Sequence, residues 1–133
     1  MTDDRMMTIS EMCDTFDVTP RTLRFYEAKE LLFPVRQGTK RLFTRQCRAR
    51  LKLILRGKRF GFTLEELRQL LDLYDIGGAV QLEKTCEVAS RHLREMESRR
   101  TELDQAIAEL RAELARGMTE LARLTRAEPE AAA

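Results

Sequence analysis

The chain has 133 residues, with 24 Lys plus Arg against 22 Asp plus Glu, a formal net charge of +2, 43% apolar and 35% charged residues. That apolar fraction excludes a wholly disordered chain, no stretch approaches the ~18 apolar residues of a membrane span, and the length accommodates one ordinary domain or a small domain plus one long element. The near-neutral total hides a division. Residues 1–62 carry 14 basic and 7 acidic residues and residues 63–133 carry 10 and 15, balances of +7 and −5, so the two halves are expected to do different work.

Three cysteines, Cys13, Cys47 and Cys86, lie in separate segments with no CxxC. An odd, scattered set predicts no disulfide framework and a reducing compartment. The opening MTDDRMMTIS carries acids where a signal peptide carries bases, and it lacks an apolar core, so a cytoplasmic protein is expected. A single histidine, His92, gives a zinc site little to work with. No GxSxG, P-loop or GxGxxG occurs, and Glu65–Glu66 reads as the acidic first turn of a helix. The expectation is a protein that is not an enzyme and has no metal and no cofactor.

In chain order, Thr8-Ile9-Ser10-Glu11 has the form of a capping box. It opens a helix whose Ile9, Met12, Cys13 and Phe16 share one face. Thr19 is an N-cap with Pro20 at the first helical position, so a second helix follows through Arg21, Thr22, Leu23, Arg24, Phe25, Tyr26 and Glu27. The pair has helix-turn-helix proportions. Leu31 to Val35 is expected to be extended around Pro34. A basic turn with Gly38 then leads back through Arg41-Leu42-Phe43, a small hairpin or wing carrying Arg36, Lys40 and Arg41.

Thr44 caps a third helix running through Leu51, Ile54 and Leu55 to Phe60, with Gly61 at its end. Its other faces carry Arg45, Arg48, Arg50, Lys52, Arg56, Lys58 and Arg59. Thr63-Leu64-Glu65-Glu66 is a second capping box; it opens a fourth helix with Leu64, Leu67, Leu70, Leu71 and Tyr74 as its apolar face, before Gly77-Gly78 breaks the chain. Beyond the break, Leu82, Ala89, Met96, Leu103, Leu110, Gly117 and Leu124 fall at d positions and Cys86, Leu93, Arg100, Ile107, Leu114 and Leu121 at a positions. The 4-3 spacing fails only at Arg100 and Gly117, the pattern of a coiled coil. At ~1.5 Å per residue a helix over residues 82–124 is about 65 Å long. Nothing of similar length exists elsewhere in the chain, so the partner is most simply a second copy.

The ordered segments TPRTLRFYE (19–27), ELLFP (30–34), KRLF (40–43) and FGFTLEELRQLL (60–71) resemble the DNA-binding head of the MerR family of bacterial transcription regulators. The match covers about residues 7–75. It implies a mainly α fold with three parts: a winged helix-turn-helix head over 7–75, a long coiled-coil dimerisation helix over 80–125 and a flexible tail over 126–133. Thr19, Arg21, Thr22, Arg24 and Tyr26 on the second helix, Arg36, Lys40 and Arg41 on the wing, and Lys58 and Arg59 on the third helix are the candidate DNA contacts, since Lys/Arg neutralise phosphates and release counterions. Lys40 departs from the family's wing tyrosine, and Phe25 and Phe43 replace two more; without hydroxyls these phenylalanines, with Leu23 and Leu31, are expected in the core.

The resemblance further implies a homodimer, paired antiparallel through Leu82, Cys86, Leu93, Met96, Arg100, Leu103, Ile107, Leu110, Leu114 and Leu121. Such a dimer grips a near-palindromic operator on double-stranded DNA and bends or untwists it so that RNA polymerase engages the promoter. Cys86 reads as a small buried knob, not a metal ligand, because no later cysteine completes a thiolate pair. Three unclustered cysteines do not make an iron–sulfur site, and a short member without a separate effector domain is expected. His92 falls at a g position and is expected on the solvated rim. Arg100, with Glu97 and Glu102 nearby, reads as a device that fixes register. The competing reading is a coiled-coil interaction protein whose basic head binds an acidic protein; a thiol enzyme fails for want of a base near any cysteine.

Overall fold

The computed structural model describes residues 5–132, with side chains through residue 127. Each helix start predicted from a threonine is present. Thr8 accepts the Glu11 N–H and Glu11 accepts the Thr8 N–H, both at 3.2 Å, which opens α1 (Ile9–Phe16). Asp17, left-handed at φ 54, turns the chain and donates its N–H to the Cys13 carbonyl. Thr19 then caps α2 (Pro20–Ala28) by accepting the Thr22 N–H at 3.1 Å. Thr44 caps α3 (Arg45–Arg59), and the Thr63/Glu66 box opens α4 (Leu64–Ile76).

The wing is a hairpin of β2 (Val35–Gln37) and β3 (Lys40–Phe43), turned through Gly38 at φ +62, where an L side chain is strained. Sequence patterning missed a third strand. β1 (Met7–Thr8) pairs antiparallel with β3, placing Met7 opposite Phe43, so the sheet order is β1-β3-β2 and the wing is tied to the start of α1.

Four helices and one strand of the head feed one core: Met12 from α1, Leu23 and Tyr26 from α2, Leu31 and Leu32 after it, Phe43 from β3, Cys47, Leu51 and Ile54 from α3, Leu67 and Leu71 from α4. Each fully buried Leu, Met or Phe contributes ~1.5–3 kcal/mol. Leu64 and Tyr74, expected on the apolar face of α4, are 37% and 40% exposed. Arg50 sits inside this core at 4% exposure. Its guanidinium donates to the Leu31 carbonyl at 2.9 Å, to the Leu71 carbonyl at 3.4 Å and to Asp75 at 3.5 Å, and stacks 5.3 Å from the Phe33 ring. A buried cation is tolerated only with such partners.

Gly77 ends α4 as the Gly pair predicts, its N–H reaching the Leu73 carbonyl at 2.8 Å. The compact unit does not end there. It runs to His92, and a second unit begins at Leu93. α5 (Gly78–Ala132) starts directly after Gly77, and its first turns pack back on α3 and α4, burying Val88 and His92. α5 is also continuous through residues 126–132, where a flexible tail was expected; Ala and Glu favour helix. No helix among the described residues is long and apolar enough to cross a membrane.

Candidate nucleic-acid interface

The N-terminal turn of α2 is fixed by hydroxyls. Thr19 spends its oxygen on the helix cap and lies 2.9 Å from the Thr22 hydroxyl. That local closure leaves Arg21 and Arg24, one turn apart, both exposed. The neighbouring aromatics take the opposite places to those expected. Tyr26 is 3% exposed with its ring in the core, and Phe25 stands out at 45%. Helical geometry allows one of two consecutive residues to face inward, and it is Tyr26 that shares the Leu23 side. The hydroxyl expected to meet a phosphate therefore belongs to a buried ring, and the aromatic surface presented beside Arg21 is a phenyl.

Arg21, Thr22 and Phe25 line a hollow of about 390 Å³ whose other wall includes Lys58 from the end of α3 and Phe62. The fold thus joins the start of α2 to the basic end of α3. Arg59 is exposed beside Lys58. A second hollow, about 580 Å³, is lined by Arg45, Arg48, Lys52 and Arg56 with Tyr74; these four cations recur on one face of α3, the face turned away from Leu51 and Ile54.

The wing arginines are not simply solvated. Arg36 pairs with Glu27 at 2.8 Å and Arg41 with the same carboxylate at 2.6 Å. Partial burial pulls the Glu27 carboxyl upward, but the hydrogen bonds and charges of Arg36 and Arg41 outweigh it and hold the group below its usual value. Both wing strands are thereby tied to the end of α2. Lys40, at the turn, is exposed. Glu27 carried no sequence signal of this role, because the pairing spans 9 and 14 residues through tertiary structure.

The single histidine is also not where the heptad placed it. His92 is 8% exposed; its Nε2 lies 2.9 Å from Glu66 and its ring 4.7 Å from that of Phe62. The three cysteines are free: Cys13 half-buried, Cys47 buried with its thiol donating to the Phe33 carbonyl at 3.4 Å, and Cys86 exposed. Among the described residues no group of three or more His, Cys, Asp or Glu side chains is placed to hold a metal ion.

In the second unit the candidate dimerisation residues stand in solvent in the single chain. Leu93, Met96, Leu103, Ile107, Leu110, Leu114 and Leu121 are 39–69% exposed, and Arg100 is exposed in the same row. Leu82 and Cys86, near the start of α5, are exposed as well.

Residues 7–73 match the model of the MerR HTH family regulatory protein, and residues 48–113 match that of the MerR DNA-binding region. The HTH-type transcriptional regulator ZntR of Escherichia coli (strain K12) is 33% identical over 100 residues, which cover 74% of this chain and 71% of that protein. The crystal structure of the transcription regulator PbrR691 from Ralstonia metallidurans CH34, in complex with lead(II), has a TM-score of 0.61 at 32% identity, covering 80% of this chain and 86% of that one. HiNmlR, a MerR family regulator lacking the sensor domain, crystallised bound to promoter DNA, has a TM-score of 0.60 over 84% of this chain and 89% of its own; at 22% identity it speaks for the fold. With a capped helix pair, a wing packed against it and these matches, the chain belongs to the MerR family of helix-turn-helix proteins and is a DNA-binding transcription regulator.

Proposed function

We propose that the chain acts in the cytoplasm as a homodimer on near-palindromic promoter DNA, bending or untwisting it so that RNA polymerase engages, with no catalytic step of its own. The observation that carries this reading is the shared hollow of Arg21, Phe25 and Lys58. It brings together a cation from each of two helices distant in sequence, Arg21 and Lys58, over a largely apolar floor, and Arg24 and Arg59 are exposed as well. Arg21 and Arg24 meet base edges or phosphates, and Phe25 offers apolar contact of the kind that reads a thymine methyl. Lys40, Lys58 and Arg59 hold the backbone, with Arg36 shared between Glu27 and phosphate, while Thr19 and Thr22 set the helix end. The second copy is supported by the apolar row from Leu93 to Leu121, which one chain leaves in water. Two heads on one rod engage two half-sites, and deforming the DNA between them adds specificity where no side chain touches a base.

Footprinting tests this directly. Purified protein is titrated on the promoter regions of its own and neighbouring genes, and on random DNA of equal length. Expected is protection of two half-sites with at least ~10³-fold preference over random sequence, and altered mobility of circularly permuted fragments. Equal affinity for both DNAs, or a salt-independent affinity, overturns the reading.

A further inference from the structure

Glu66 occupies a crossing point that neither the cationic surface nor the apolar row of α5 uses. As the fourth residue of the capping box it accepts the Thr63 N–H through Oε1 at 2.8 Å. The same carboxylate meets His92 Nε2 at 2.9 and 3.1 Å, and it also receives the Arg91 guanidinium. His92 is almost wholly enclosed, its ring against Phe62. One carboxylate at the start of α4 therefore grips two consecutive residues of α5.

The apolar packing at this junction is thin. Of the first turns of α5, Val88 is the one apolar side chain fully buried. Between Leu53, Phe60 and Leu70 of the head and Thr85 and Ala89 of α5 a cavity of about 200 Å³ remains. Apolar contact is non-directional, whereas charge-assisted hydrogen bonds are short and oriented. The oriented bonds to Glu66 therefore fix a geometry that the thin apolar contact leaves open.

We propose that Glu66 is a positioning residue for DNA binding. Through His92 and Arg91 it fixes the head on the base of the dimerisation helix, and so fixes the half-site spacing that two heads accept. The proposal rests on the homodimer reading above. The duplex demands a set distance, because half-sites recur with the helical turn, and a head free to shift on α5 tolerates more than one distance.

The test uses the full chain and a DNA fragment that the wild-type protein selects from a random pool, together with the same fragment carrying one base pair inserted or deleted at its centre. Glu66→Gln keeps an acceptor for the Thr63 N–H, so the α4 cap survives, but it removes the charge. His92→Leu removes the other side, and His92→Gln keeps a donor. Wild type and His92→Gln are expected to discriminate against the altered spacings by about tenfold, and Glu66→Gln and His92→Leu by about threefold or less, with unchanged dimer mass and helical content. A purely structural role would lower affinity for all three fragments in parallel. Discrimination retained in both Glu66→Gln and His92→Leu, or parallel loss across the three fragments, overturns the proposal alone. A wild-type chain that sediments as a monomer removes the homodimer reading and the proposal with it.

Discussion

The head and the second half of α5 are built from the same residue types and end in opposite states. In the head, four helices and the strand β3 contribute apolar side chains to one closed cluster, and even a cation, Arg50, is enclosed with partners. From Leu93 to Ala127 not one side chain is buried, although leucine recurs there with heptad spacing. The difference is one of period. Short elements with changing direction surround their own core, while a straight helix presents its stripe to whatever lies alongside. The head closes its core within a single chain, and the helix leaves its apolar row in solvent.

Breaking the helix side of that contrast has the largest expected effect. Leu103→Asp with Ile107→Asp places two charges in the apolar row, 60% and 39% exposed in the single chain. The protein is expected to sediment as a monomer while the near-ultraviolet signal of its head persists. DNA affinity should fall by about 10²-fold or more, because the second head loses its tether. A dimer that survives both substitutions places the interface elsewhere.

The head is tested by the reverse experiment, a change that strains its core and leaves the row intact. A Cβ added at Gly57 on α3 lies 2.4 Å from Leu67 Cδ2 and 3.0 Å from Phe62 Cδ2, too close for either side chain to remain in place. Gly57→Ala should cost ~1–3 kcal/mol and lower the head's melting temperature by about 4–8 °C per kcal/mol, with the dimer retained under native conditions. An unchanged melting temperature means that Leu67 and Phe62 move aside freely.

A smaller effect separates the cationic surface from both. Lys58→Ala and Arg21→Ala, on the two walls of one hollow, should each weaken DNA binding several-fold without moving the melting temperature. Removing one cation from a phosphate reduces the slope of log K against log salt by ~0.9. Arg41→Ala should behave differently, losing stability as well, because Arg41 is mostly enclosed and paired with Glu27.

Much of the contrast was legible in the chain itself, for a physical reason: the signals are local. Thr8, Thr19, Thr44 and Thr63 accept N–H groups three residues away, Gly38 takes a positive φ, and the heptads need only their own spacing. What was not legible depends on partners far along the chain. β1 is two residues long and exists only because Leu42 and Phe43 lie beside it. Arg50 is one of seven cations between Arg45 and Arg59, and only the angle at which α3 meets Leu31 and Leu71 turns it inward. Tyr26 and Phe25 are adjacent aromatics, and α2 has room for one inside. Glu27 and Glu66 look like ordinary helix acids, and His92 like a heptad g residue, until tertiary structure brings Arg36, Arg41 and the start of α5 against them.

The smallest expected effect is an acid-dependent one at that junction. Burial raises the Glu66 carboxyl, but the Thr63 N–H, His92 and Arg91 outweigh it and hold the group at about 2 instead of 4.5. A carboxyl with a lower pKa folded than unfolded stabilises the fold above about 4.5, and that contribution is lost as pH falls toward 2. Glu66→Gln has nothing to lose in this window. The difference in melting temperature between wild type and Glu66→Gln should shrink on acidification below 4.5 and close near 2. High salt should narrow it further, since Arg91 is substantially exposed. A gap that stays constant down to pH 2.5 means that Glu66 titrates as a free carboxyl and the grip on α5 is not electrostatic. A gap that closes locates the acid sensitivity of the junction in one residue, distinct from Glu27, whose own depressed carboxyl ties the wing to α2.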